Sequence, residues 1–180
     1  LYVPATDDDM PLIAGLMNRA YRGNAEGGWR SEAGHIAGER TNAALLRDDL
    51  AAKPAAVMLL WCESPDAVPI GCVWLEPLGD GAWYLGSFAI EPVRQAGGLG
   101  GTMLRAAEDW AHEGGAGTIR ISVINVRDAL IDWYERRGYV RTGQTEPFPY
   151  GDDRFGTPLR DDLAFVILEK RLEAAVRSIG

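Results

Sequence analysis

Eight residues, Gln95-Ala96-Gly97-Gly98-Leu99-Gly100-Gly101-Thr102, hold four glycines between an apolar run, Leu85 to Ile90, and a long helical pattern. A strand that enters a bare loop and then a helix N-terminus suits an anion. Unpaired N–H groups and the positive helix end converge there, and missing Cβ atoms let a phosphate approach the main chain. Two familiar phosphate loops are excluded. No Gly-Lys dipeptide occurs, so the Walker pattern fails; counting from Gly98, the dinucleotide fingerprint finds Gly100 in place but Met103 in its third glycine slot. Taken alone, a glycine-rich turn that serves only helix packing is an equal reading. Metal chemistry lacks ligands: the chain has two cysteines, Cys62 and Cys72, and two histidines, His35 and His112, with no ligand cluster. The cysteines read as reduced packing residues, although a hairpin over 62–72 would let them face one another.

The elements that must position the loop follow from periodicity. Tyr2 to Ala5 reads as a short strand, and Thr6 or Asp7 is placed to cap a helix with Ile13, Leu16, Met17 and Ala20 at helical spacing. From Arg22 to Arg40 there are five glycines and no period, the composition of a long loop of a class that often carries function. Thr41 is expected to cap a second helix carrying Ala44, Leu45 and Leu50. Val57 to Trp61, Ile70 to Leu75 and Trp83 to Ile90 have strand character, with turns at Pro65-Asp66 and from Pro77 to Gly81. A helix over 99–113 follows, carrying Leu99, Met103, Ala106, Ala107 and Trp110 on one side and stopped by Gly114-Gly115. Ile119, Ile121 and Val123 alternate as a strand, Asp128 to Arg137 reads as a helix ended by Gly138, Tyr139-Val140 opens a strand, and Leu163 to Leu168 reads as the last. The expected fold is a single α/β domain over 1–180, an α+β mixed sheet built around an antiparallel three-strand meander and flanked by helices.

Composition sets outer limits. At 47% hydrophobic and 24% charged residues the chain has the make-up of a globular protein, with no apolar run near the ~18 residues of a membrane span. A net charge of -8 argues against broad nucleic-acid binding, which needs positive surface against phosphate. Leu1-Tyr2-Val3-Pro4 has no basic lead before Asp7-Asp8-Asp9, so no signal peptide is expected and the cytoplasm is the default compartment.

Context decides between the readings of the glycine loop. Ile90-Glu91-Pro92-Val93-Arg94-Gln95-Ala96-Gly97-Gly98-Leu99-Gly100 resembles the acetyl-CoA signature of the GNAT superfamily of N-acyltransferases, an apolar-x-Pro strand end followed by (Gln/Arg)-x-x-Gly-x-(Gly/Ala). Gln95, Gly98 and Gly100 take its defining places. Trp133-Tyr134-Glu135-Arg136-Arg137-Gly138-Tyr139 resembles the superfamily's second marker, a helical Tyr before a glycine and an aromatic strand start. The resemblance spans at least residues 55–145, and the order of elements outside that range agrees with it.

The resemblance implies a mostly antiparallel, splayed sheet and an acetyl-CoA-dependent transfer to a primary amine, by direct attack in a ternary complex, with no metal. Loop residues Gln95, Ala96, Gly97, Gly98, Gly100, Gly101 and Thr102 would hold the pyrophosphate. Phe88, Ala89 and Ile90 would pair with the pantetheine arm, a main-chain N–H of that segment would steady the oxyanion, and Ile119 to Val123 would splay away. Tyr134 would be the acid for the leaving thiolate; its alternative is a core Tyr at helical spacing. The attacking ammonium must first lose a proton, and Glu26, Glu32, Glu39 and Glu91 are the candidate bases, Glu32 first among them. Many relatives place a CoA-contacting Asn seven residues before the Tyr, where this chain has Arg127. Arg127 would grip CoA or stand exposed at a helix start, and Asn125 is the nearby substitute. Trp29, Glu32, Phe148 and Arg154 lie in two long loops that would wall the acceptor site, or else form packed Ω-loops. The expected partners are a coenzyme A thioester and a small amine or amino-acid-like acceptor, and an open sheet edge would allow a homodimer. A non-catalytic acyl-CoA-binding module is the alternative from another class.

Overall fold

The computed structural model describes residues 1–23, 32–64, 67–95 and 97–172. Along the chain these form β1 (Tyr2–Pro4), α1 (Met10–Arg22), β2 (Ile36–Ala37), α2 (Ala43–Ala52), β3 (Val57–Trp61), β4 (Gly71–Gly79), β5 (Ala82–Ile90), α3 (Leu99–Glu113), β6 (Thr118–Ile124), α4 (Asp128–Glu135), β7 (Val140–Pro147), β8 (Thr157–Pro158) and β9 (Ala164–Arg171). Seven strands make one sheet in the order β1-β3-β4-β5-β6-β9-β7, and β2 pairs with β8 separately. All described pairings are antiparallel except β5 with β6, so the expected mixed, mostly antiparallel sheet is present.

The run Val57-Met58-Leu59-Leu60-Trp61 lacks polar alternation because both faces of β3 are covered. Met58 and Leu60 pack with Ile13, Leu16 and Met17 of α1 and Leu46 of α2, whereas Leu59 packs with Leu104 and Ala107 of α3 and Ile131 of α4. Burying side chains of this size stabilises the fold by about 1.5–3 kcal/mol each. Thr6 starts the first helical segment: its N–H and hydroxyl both donate to Asp9 Oδ2 at 2.7 Å, closing a 3-10 turn over Asp7–Asp9 that leads into α1.

Three local expectations are corrected. Asn42, not Thr41, caps α2, its Oδ1 accepting from the Leu45 N–H at 3.0 Å. That shift of one residue turns Leu46 to the core and leaves Ala44 exposed. Thr41 is instead held by Asn18, whose Nδ2 donates to the Thr41 carbonyl at 2.9 Å. The strand expected to end at Leu75 runs on to Gly79, and the hairpin turn is Asp80-Gly81, both with positive φ (+50° and +73°). The long segment expected to be loop carries β2. Cys62 and Cys72 are both buried, free thiols, so no disulfide joins them.

The sheet opens beside β5. Its parallel pairing to β6 covers only Ala82 to Tyr84 against Thr118 to Arg120, while β9 follows β6 along its whole length. Past Tyr84 the two strands part, and the Tyr84 and Ser122 hydroxyls span the opening at 3.1 Å. On its other edge β5 bulges. Cys72 pairs with Ala89 and Trp74 with Gly86, which sets Ser87 and Phe88 against Val73, and Ser87 takes a left-handed φ of +46°.

Candidate active site

The turn after β5 delivers the glycine loop to α3. The Gln95 side chain donates from Nε2 to the Ile90 carbonyl at 3.1 Å, tying the loop to the strand end. Gly97 and Gly98 have φ of +82° and +81°, and Gly98 caps α3. The N–H groups of Gly97, Gly98, Leu99 and Gly100 make no main-chain or side-chain hydrogen bond among the described residues. Those of Gly101 and Thr102 already donate to the Gly98 carbonyl at 3.0 and 3.3 Å. Donors without a partner among the described residues, at the positive end of a 15-residue helix, are what a diphosphate requires. Ala96 lies outside the described residues.

Arg137, which the sequence suggested only as a helix-end cation, belongs to this region. Its guanidinium stacks 3.7 Å from the Trp133 ring centroid, and Nη1 donates to the Trp133 carbonyl at 3.0 Å. A Cβ at Gly101 would meet Arg137 Nη2 at 3.3 Å, so the cation stands over the first turn of α3. Partial burial and then the neighbouring Arg136 hold Arg137 below the usual arginine value. With Arg105 and Lys170 it lines an open groove of about 950 Å³ next to Gly98 and Thr102.

Two further cavities meet at Tyr134. A narrow one, about 60 Å³, is bounded by Phe88, Ala89, Ile90, Gln95, Gly100, Arg127 and Tyr134. A wider cleft of about 620 Å³ occupies the opening between β5 and β6 and shares Tyr21, Phe88, Arg127, Leu130 and Tyr134 with it. Tyr134 is buried, with the Trp133 and Tyr139 rings edge-on at 4.9 and 5.3 Å. Tyr21 fixes the bulge from the α1 side, donating from its hydroxyl to the Phe88 carbonyl at 3.0 Å, and burial pushes that phenol well above its ordinary value.

Glu32 is placed in the wider cleft, yet both its oxygens are engaged. Arg22 Nη1 donates to Oε2 at 2.5 Å and Arg127 Nη1 to Oε1 at 3.2 Å, and all three side chains are buried. The Glu32 N–H bonds to the Tyr21 carbonyl at 2.8 Å, which ties this segment to the end of α1. Arg127 is therefore neither exposed nor alone. Of the other candidate bases, Glu91 is held in a two-pronged pair with Arg19 at 2.9 Å, Glu39 is exposed, and Glu26, like Trp29, lies outside the described residues. Asn125 serves the fold, with Nδ2 donating to the Asp162 carbonyl and Oδ1 accepting from the Ala164 N–H at 2.9 and 3.1 Å. It lines none of the three cavities.

The two loops expected to wall the acceptor site are joined. Ile36 and Ala37 pair with Pro158 and Thr157, over a small core of Ile36, Ile124, Phe148 and Leu163. Gly156 permits the approach: a Cβ there would sit 2.5 Å from the Ala37 carbonyl oxygen. Phe148 is buried and lines the cleft. Arg154 does not line it; its guanidinium pairs with Asp49 of α2 on the exterior, and the adjacent Phe155 faces the cleft instead. Arg40 and Glu146, which belong to the stretches expected to border the acceptor, line the cleft, as do Arg22, Tyr84 and Ser122, which sequence reasoning passed over. Among the described residues there is no group of three or more His, Cys, Asp or Glu placed to hold a metal, and no helix long and apolar enough to cross a membrane.

Comparison with known proteins bears on what such an arrangement does. Residues 25–139 match the family model described as "Acetyltransferase (GNAT) family". No curated protein matches the sequence. Among solved structures, the ribosomal-protein-alanine N-acetyltransferase from Brucella melitensis superposes with a TM-score of 0.66 at 17% identity, covering 96% of this chain and 99% of that one. An N-acetyltransferase from Staphylococcus aureus Mu50 gives 0.65 at 12% identity over 96% and 98%. A GNAT family acetyltransferase from Elizabethkingia anophelis, solved with acetyl-CoA bound, gives 0.56 at 18% identity over 71% and 82%.

Proposed function

Because the chain belongs to the GNAT family of acetyltransferases, we propose that it transfers an acetyl group from acetyl-CoA to a primary amine by direct attack in a ternary complex. The observation that carries this reading is the opening between β5 and β6, which runs from Gln95 and Gly100 of the glycine loop past Tyr134 into the wider cleft. Acetyl-CoA supplies an activated carbonyl and a thiolate leaving group. The loop amides and Arg137 hold its diphosphate, and the Phe88 to Ile90 segment orients its arm where β6 has withdrawn.

Tyr134, in the wall common to both cavities, donates its phenolic proton, or a hydrogen bond, to the departing sulfur. With reference values of about 10 for Tyr and about 8.5 for a thiol, complete transfer is uphill by roughly 2 kcal/mol, so hydrogen bonding carries part of the work. On the acceptor side the ammonium must lose a proton before it attacks. Among the described residues three carboxylates line the cleft; Glu32 serves two arginines and Glu76 serves Lys53 and Trp74. Glu146 has no ion pair among the described residues, and it replaces Glu32 here as the proton acceptor, through water. Glu32 becomes the anchor of the cleft wall.

The same reading takes residues 1–180 as one transferase domain working in the cytoplasm, a placement that two unpaired thiols suit. β7, exposed along its length at one edge of the sheet, is the surface that would support a homodimer. Free-thiol release across a panel of amines, with calorimetric titration of CoA, ATP and NAD, tests the central step. Thiol release with at least one amine, and binding of CoA alone among the three, is the expected result. Tight CoA binding without release would favour an acyl-CoA-binding module.

A further inference from the structure

The protein is acidic overall, yet among the described residues the acceptor cleft is lined by five cationic side chains, Arg22, Arg40, Lys53, Arg120 and Arg127, against three carboxylates. Most of this charge is internally matched. Lys53 pairs with Glu76, Arg120 with Glu169 outside the lining, and Arg22 and Arg127 share Glu32. Two cations on one anion leave a positive excess, and the buried Arg22 Nε–H has no partner among the described residues. Arg40 adds to that excess. Among the described residues its guanidinium makes no ion pair and no hydrogen bond, and it lies 5.4 Å from the centroid of the Tyr21 ring.

The position of Arg40 is built. Asn18, on α1, accepts from the N–H groups of Arg40 and Thr41 through one oxygen at 2.6 and 3.2 Å and returns a bond to the Thr41 carbonyl at 2.9 Å. That clamp fixes the main chain at Arg40 and sets its side chain along Tyr21, whose hydroxyl holds the β5 bulge. A half-buried guanidinium with a fixed stem, in the same cleft wall as the Arg22 and Arg127 pair, suits a planar anion that can accept two parallel N–H bonds.

We infer that the acceptor carries a carboxylate as well as its amine, and that Arg40 binds that carboxylate, so the substrate class is a free amino acid rather than a polyamine or a simple amine. This rests on the reading of the cleft as the acceptor site of an amine acetyltransferase. The positive cluster around Glu32 also repels a polycation, which an acidic exterior would otherwise attract.

The test pairs L-alanine, L-leucine, L-lysine and L-glutamate with their carboxamides, in thiol release from acetyl-CoA and in calorimetric binding to the enzyme saturated with CoA. The acids should exceed their amides by about tenfold to a hundredfold in kcat/KM or in affinity, the range of one charge-assisted contact. Arg40→Gln should collapse that ratio towards one through KM, whereas Arg47→Gln, which removes an exterior arginine paired with Asp7, should leave it intact. Amides equal to or better than acids, no binding of any acid, or an unaltered ratio in Arg40→Gln would overturn the inference. Acids that bind the CoA complex in an Arg40-dependent way without any thiol release would instead overturn the transferase reading and leave the carboxylate site standing.

Discussion

Tyr134 has a packing role and a proposed chemical one, and a single oxygen separates them. Its ring lies among Trp133, Tyr139 and the α3 face of the core, so Tyr134→Phe preserves the packing and removes only the hydroxyl. The expected result is a kcat lower by about a hundredfold, with the CoA dissociation constant nearly unchanged, checked by steady-state kinetics beside calorimetry. Glu146→Gln is expected to lower kcat/KM for the amine by about a hundredfold; an unchanged value would remove Glu146 from the proton path. Glu32 behaves differently. Glu32→Ala strips the shared counterion from two buried arginines and is expected to cost about 3–5 kcal/mol of stability, read as a lower urea midpoint at constant slope. Glu32 and Arg127 are each conspicuous in the sequence, but their pairing is not legible there: they are 95 residues apart, and only the folded chain brings them together.

The elements were more legible than the contacts between them. The limits of β3 and α3 follow from unbroken apolar runs and helical spacing, and the glycines at either end of α3 mark its ends. Helix α2 was misframed because Thr41 and Asn42 are both competent caps, and the choice depended on Asn18, which claims the Thr41 main chain from another helix. β2 and β8, two residues each, have no period to detect and exist through long-range pairing. The glycine loop proposed to hold phosphate was legible as a strand-to-helix turn because its backbone requirement is local. At Gly98 the requirement is conformational: the space around it is open, but its φ of +81° lies in the left-handed region that a side chain strains. Gly98→Ala is therefore expected to weaken CoA binding by about tenfold, the equivalent of 1–2 kcal/mol of left-handed strain, in a calorimetric titration.

At the scale of the whole molecule, the sheet is covered on both faces, and that burial governs the response to alkali. Cys72, packed between α1 and β5, is pushed by burial from 9.0 up to about 12, so the folded state keeps a proton that the unfolded chain gives up. Such a group contributes stability that is complete below pH about 9 and is lost as the pH climbs towards 12. Buried Tyr2, Tyr21 and Tyr139, all raised, extend the loss upwards from about pH 10. Urea midpoints measured between pH 8 and 11 should fall steadily, and the native protein should resist iodoacetamide at pH 8 until it is unfolded. The parted strands have a consequence of another kind. Main-chain groups of β5 that face the opening lack a ladder partner, as at a raw sheet edge, where stray polypeptides nucleate aggregates. Here they are recessed in the middle of the sheet between two walls, so a slender ligand can enter while an intruding chain cannot line up alongside; recession guards this backbone as charge guards an outer strand.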